Sequence, residues 1–96
     1  MNKLPPQEAS ERLRHLSGWR IDDDRLIKEY IFKDFREAVE FINRIRPLAD
    51  AMNHHPDLCI SYNKVKAELT THDAGGLTEL DFELAKKMDE SFNAVH

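Results

Sequence analysis

With 96 residues, 41% of them hydrophobic, the chain suits one compact domain over residues 1–96 around one core. Eighteen acidic residues against 14 basic ones give a formal charge of −4, which repels a polyanion and argues against nucleic acid as a partner. The single cysteine, Cys59, excludes an intramolecular disulfide and a thiolate-only zinc site, and it reads as a small buried apolar group. Neither the stretch from Met1 to Gln7 nor any later one has an apolar run of signal-peptide or membrane-span length. A cytoplasmic protein with no membrane partner is expected.

Pro5 and Pro6 lead into a first helix predicted over residues 7–16, where Ala9, Leu13 and Leu16 recur at helical spacing and Gly18 supplies a stop. Trp19–Ile21 and Leu26–Phe32 are rich in aromatic and β-branched residues and flank the polar cluster Asp22-Asp23-Asp24, so they predict a hairpin, with Trp19 as a core anchor. From Asp34, the positions Phe35, Ala38, Val39, Phe41, Ile42, Ile45, Ala49 and Met52 mark the longest helix. Pro47 lies inside it and should kink or open its last turns. Leu58, Ile60 and Tyr62, then Val65, Ala67 and Leu69, alternate as a second hairpin about a turn at Asn63-Lys64. His72-Asp73-Ala74-Gly75-Gly76 breaks the strand, and Leu77, Leu80, Leu84, Met88 and Phe92 mark a final helix. The order αββαββα predicts an α+β fold: a four-stranded antiparallel sheet with three helices on one face.

Five histidines are present. His15 on a polar helix face and His96 at the end are set aside. A two-residue turn at Asn63-Lys64 pairs Tyr62 with Val65, Leu58 with Leu69 and His55 with His72, which brings imidazoles together through the hairpin alone. Asp50 stands four residues before His54, one helical turn away, where a carboxylate can orient the ring. Histidine both gives and accepts protons near neutrality, with an ordinary pKa of about 6.5. Two or three such rings therefore suit a reaction that expels hydroxide while a nitrogen loses its proton, each transfer contributing about 10²–10⁴ in rate.

Blander readings attach to the same residues. A loop histidine is commonly a polar residue satisfied by backbone, and neighbours in an extended segment point opposite ways. Three histidines could hold zinc, yet no H-x-H or HExxH spacing is present, so no metal is expected. Asp81, three residues after Thr78, reads as part of a capping box with Asp in place of Glu. Gly75-Gly76 reads as a turn rather than an anion cradle.

The segments Asp50-Ala51-Met52-Asn53-His54-His55-Pro56, Tyr62-Asn63-Lys64-Val65 and Thr71-His72-Asp73-Ala74-Gly75-Gly76-Leu77, with Asp81, resemble the signature of the pterin-4a-carbinolamine dehydratases. Gly18-Trp19 and the element order fit the same family. The resemblance implies dehydration of a 4a-hydroxy-tetrahydropterin to the quinonoid dihydropterin, without metal or cofactor, in support of aromatic amino acid hydroxylases. It makes His54 and His72 the acid/base pair and His55 a catalytic-site ring that binds and orients the pterin. Asn53, Pro56, Thr71, Asp73 and Ala74 become substrate contacts, and Asp50 and Asp81 supports of the histidines or the site wall. It also implies a homodimer or homotetramer. Because some animal members partner a transcription factor, a non-catalytic, coactivator-like binding module is the alternative reading. Asp50 where Glu is frequent, Leu80 where a basic residue is common, and Pro47 depart from many members. An RNA-binding sheet is disfavoured by charge and by the lack of an aromatic RNP-like strand.

Overall fold

The computed structural model describes residues 2–96; residue 1, at the head of the N-terminal segment considered above, lies outside them. Helix α1 (Pro6–Leu13) opens with proline in its first turn, where the missing N–H would have no helical acceptor in any case. It ends three residues earlier than its periodicity predicts. Beyond Leu13 the chain tightens into turns, with Leu16 N–H bonded to Leu13 O at 3.0 Å, and Gly18 at φ 82° redirects it. Leu16 still packs against the core.

Strands β1 (Arg20–Asp22) and β2 (Arg25–Ile31) form the first hairpin. Its two loop residues, Asp23 at φ 51° and Asp24 at φ 57°, are both left-handed, the geometry whose twist matches paired strands and which Asp tolerates. Helix α2 (Phe35–Met52) is capped by the Asp34 side chain, which accepts the Glu37 N–H at 2.9 Å. Its stripe buries Ala38, Phe41, Ile45 and Ala49, while Phe35 at the start stays 51% exposed. The helix runs unbroken past Pro47 to Met52, contrary to the expected opening of its last turns. Pro47 is exposed, so the backbone carbonyl it leaves without a donor lies toward water.

Strands β3 (Asp57–Ser61) and β4 (Lys64–Leu69) pair two residues away from the predicted register. Leu58 faces Ala67 and Ile60 faces Val65, and the loop is Tyr62-Asn63 rather than Asn63-Lys64. The cause lies on another strand. Lys64 is needed in the ladder opposite Ile31, while Asn63 is fastened to Phe32 by both its carbonyl (2.8 Å) and its side-chain amide (3.0 Å). Tyr62 consequently takes the left-handed conformation, φ 52°. A shift of two preserves which face each side chain meets.

The sheet order is β1-β2-β4-β3, antiparallel throughout, so the two hairpins join through β2 and β4, with α2 as the crossover. One face carries Leu26, Tyr30, Val65, Ala67 and Leu69 into a core shared with α2 and with α3 (Glu79–Val95). Ala9 and Leu13 of α1 and the anchor Trp19 join the same cluster. Cys59 is exposed rather than buried: on β3 it alternates with Leu58 and Ile60, so it points away from the core. Among the described residues no helix is long and apolar enough to cross a membrane.

Candidate functional site

The site begins with the way α2 stops. Asn53 adopts φ 49°, its N–H returns to Asp50 O at 3.1 Å, and the His54 N–H reaches back to Ala49 O at 3.1 Å. This paired closure of the last carbonyls reverses the chain within two residues. His54 is thereby carried inward, to 8% exposure, and its Nε2 lies 2.6 Å from Asp81 Oδ1.

Asp81 has no exposure at all and sits in the first turn of α3. The capping box read from the sequence is present: Thr78 caps the helix, and Asp81 Oδ2 accepts the Thr78 N–H at 2.9 Å. The carboxylate does more than cap. Oδ2 also lies 2.8 Å from the Thr71 hydroxyl, and Oδ1 holds His54. A buried carboxylate ringed by donors is a rigid anchor for an imidazole.

Asp50 does not support His54 as the helical spacing suggested. Its Oδ1 lies 2.9 Å from Nε2 of His55, in an exposed pair. The spacing argument fails because the helix ends at Met52: the left-handed Asn53 turns His54 away from the helix face and sends the next ring back over it.

His72 opens a single 3₁₀ turn (His72–Ala74) and is exposed. That turn is closed by reciprocal backbone bonds between Thr71 and Gly76 (3.0 and 3.3 Å), with Gly75 left-handed at φ 74°. The two segments face each other across a cleft of about 260 Å³, lined by Asn53, His54, His55, Thr70, Thr71, His72 and Asp73. His54, His55 and His72 thus share one cavity although His55 and His72 are not ladder partners. Of the other predicted contact residues, Ala74 is not part of this lining. Pro56 lines a neighbouring apolar cleft of about 350 Å³ that shares His55. Thr70 is a lining residue that sequence reasoning missed; only the observed register of β4 places it opposite the His54-His55 segment. Larger clefts of about 410 and 540 Å³ border α1, but the first holds one histidine, His15, and the second none. Chemistry, not size, picks the site.

The cleft therefore combines one imidazole pinned on a buried carboxylate, one in a solvent-exposed hydrogen bond to Asp50, and one exposed on a tight turn. Such a set can donate and accept protons within one cleft.

The family described as "Pterin 4 alpha carbinolamine dehydratase" matches residues 2–91. A protein of Sulfurisphaera tokodaii, provisionally named a pterin-4-alpha-carbinolamine dehydratase, is 56% identical over 90 residues, covering 94% of this chain and 97% of its own. A protein of Metallosphaera sedula with the same provisional name is 47% identical over 96 residues and covers all of both chains. A crystal structure from Brucella melitensis, described as a transcriptional coactivator/pterin dehydratase, superposes with a TM-score of 0.91 at 37% identity, covering 94% of this chain and 98% of that one.

Proposed function

The chain belongs to the pterin-4a-carbinolamine dehydratase family, and from that premise we propose that it dehydrates a 4a-hydroxy-tetrahydropterin to the quinonoid dihydropterin. The single observation that carries this reading is the convergence of His54, His55 and His72 on one cleft, with His54 held by a buried carboxylate. In the reaction the ring nitrogen beside C4a gives its proton to a base, and its electrons form the carbon–nitrogen double bond. The C4a–O bond breaks, and the leaving oxygen takes a proton from an acid and departs as water. His54 and His72 divide these two transfers, and His55, paired with Asp50, orients the pterin. Asn53, Thr71 and Asp73 contribute the remaining polar lining, and Pro56 walls the neighbouring apolar side. The product is the precursor of the tetrahydropterin that aromatic amino acid hydroxylases spend, which makes such a hydroxylase the natural partner in turnover. Subunits associate as a homodimer or homotetramer.

The test is the decay of 4a-carbinolamine absorbance in a phenylalanine hydroxylase reaction. Catalytic amounts of the wild type are expected to accelerate it, a chelator to leave the rate unchanged, and His72→Ala to remove about 10²-fold of the effect with the thermal melt unaltered. Unaccelerated decay with the wild type sinks the reading. The description of the Brucella structure favours one second reading, a coactivator-like binding module. Under that reading a His54→Ala/His72→Ala variant retains full partner capture in a pull-down.

A further inference from the structure

Resting on the dehydratase reading, we infer that Thr71 is a positioning residue: its hydroxyl fixes a buried hydrogen-bond chain that commits His54 to carry its proton on Nε2 and to offer Nδ1 as the proton acceptor. The chain is directional from its first link. Leu80 N–H donates to Thr78 Oγ1 (3.3 Å), and Thr78 Oγ1 lies 2.8 Å from Thr71 Oγ1, which lies 2.8 Å from Asp81 Oδ2. Each hydroxyl has one hydrogen, and a carboxylate has none. If Thr71 spent its hydrogen on Thr78, its lone pair would face a lone pair of the fully buried Asp81 carboxylate at 2.8 Å. Thr71 therefore donates to Asp81, and Thr78 donates to Thr71.

With that assignment Oδ2 accepts two hydrogens, from Thr71 and from the Thr78 N–H at 2.9 Å. Oδ1 is left to the 2.6 Å contact with His54 Nε2, and a carboxylate there can only accept. The proton must sit on Nε2 for as long as Asp81 stays a carboxylate, the form that the hydrogen bond from Thr71 favours; without that donor a protonated Oδ1 can donate to Nε2 and leave the ring proton on Nδ1. Neutral His54 then holds its one free lone pair on Nδ1, and when Nδ1 takes a proton the resulting imidazolium faces the Asp81 carboxylate directly. This is the logic by which a buried acid fixes a catalytic tautomer in hydrolytic triads. His54 is accordingly the base that receives the ring-nitrogen proton, and His72, exposed on its turn, is the acid toward the leaving oxygen. Among the described residues every buried side-chain nitrogen and oxygen has a hydrogen-bond partner.

The test reads the tautomer and the rate separately. In ¹⁵N-histidine NMR of the whole chain at about pH 9, wild-type His54 is expected to show a protonated Nε2 and a pyridine-like Nδ1. Thr71→Val is expected to give mixed tautomers and to lower kcat about tenfold, and Thr71→Ser to restore both. A wild-type ring protonated on Nδ1 overturns the proposal, even if Thr71→Val fails to fold. So does a folded Thr71→Val protein that keeps the pure Nε2–H form. Because the spectrum needs no turnover, absence of dehydratase activity refutes the reading of the reaction without touching the assignment of the proton, and the two failures stay distinct.

Discussion

His54 and His55 are neighbours in sequence yet meet opposite environments, and their carboxylate partners should differ in consequence. Asp81 is fully buried beneath His54, whereas the Asp50–His55 pair has side-chain exposures of 52% and 57%. An exposed pair is screened by water and contributes little, while a buried acceptor of several hydrogen bonds leaves stranded donors when it is changed. Asp81→Asn is expected to lower kcat by about 10²-fold or more, since the amide no longer fixes the His54 tautomer, and to cost about 1–3 kcal/mol of stability. Asp50→Asn should stay within about threefold of wild type, mostly in KM, with an unchanged melt. Steady-state dehydration rates and thermal unfolding of the two variants decide this, and equal losses would contradict the division of roles.

The device that aims His54 is the end of α2, so its geometry is testable apart from the histidines. Asn53 holds a left-handed conformation, which costs a β-branched residue about 1–2 kcal/mol and a glycine nothing. Asn53→Val is expected to lower stability by that amount and Asn53→Gly to remain within about 0.5 kcal/mol, as thermal melts would show; a neutral valine refutes the view that this conformation is imposed. The same helix end shows where reading the sequence stops. Periodicity revealed the apolar faces of all three helices and the alternation of both hairpins, because these signals are local, and the expected gathering of His54, His55 and His72 appears as the shared lining of one cleft. The partner of Asp50 was not legible, since it turns on one left-handed residue that deflects the next side chain from its helical direction. The loop at Tyr62-Asn63 was not legible either. A tyrosine is a poorer occupant of that conformation than an asparagine, and it is placed there by two bonds to Phe32, a residue of another hairpin. Cys59 was misread as buried because residue type was weighed above position: its alternation with Leu58 and Ile60 already set it on the opposite face of the strand.

At the scale of the whole molecule, a second carboxylate ties α3 to the first hairpin at a distance from the cleft. Asp89 accepts from Tyr30 Oη at 2.6 Å, Lys28 Nζ at 2.8 Å and Trp19 Nε1 at 3.1 Å, and Lys28 lies 4.8 Å from the Tyr30 ring centre. Tyr30 is 1% exposed and packs against Phe41 of α2 as well, so its phenol sits where sheet and helices meet. Burial first, then the hydrogen bond to Asp89 and its negative charge, hold the phenol protonated well above its ordinary value of 10.0. In the unfolded chain the same phenol ionises near 10. A folded-state value raised in this way leaves its contribution intact below pH 10 and removes it as pH climbs further, because only the unfolded state gains by losing the proton. Tyr30→Phe forfeits one hydrogen bond, costing about 1–2 kcal/mol at neutral pH. Between about pH 10 and 12, wild-type stability should then fall relative to the variant by about 1.4 kcal/mol per pH unit, so that the two curves converge and cross. Tyr62, 67% exposed, is common to both proteins and cancels from the difference. Denaturant unfolding of both proteins across that range gives the slopes directly, and parallel curves would show that the Tyr30 phenol is not the group that couples this fold to alkali.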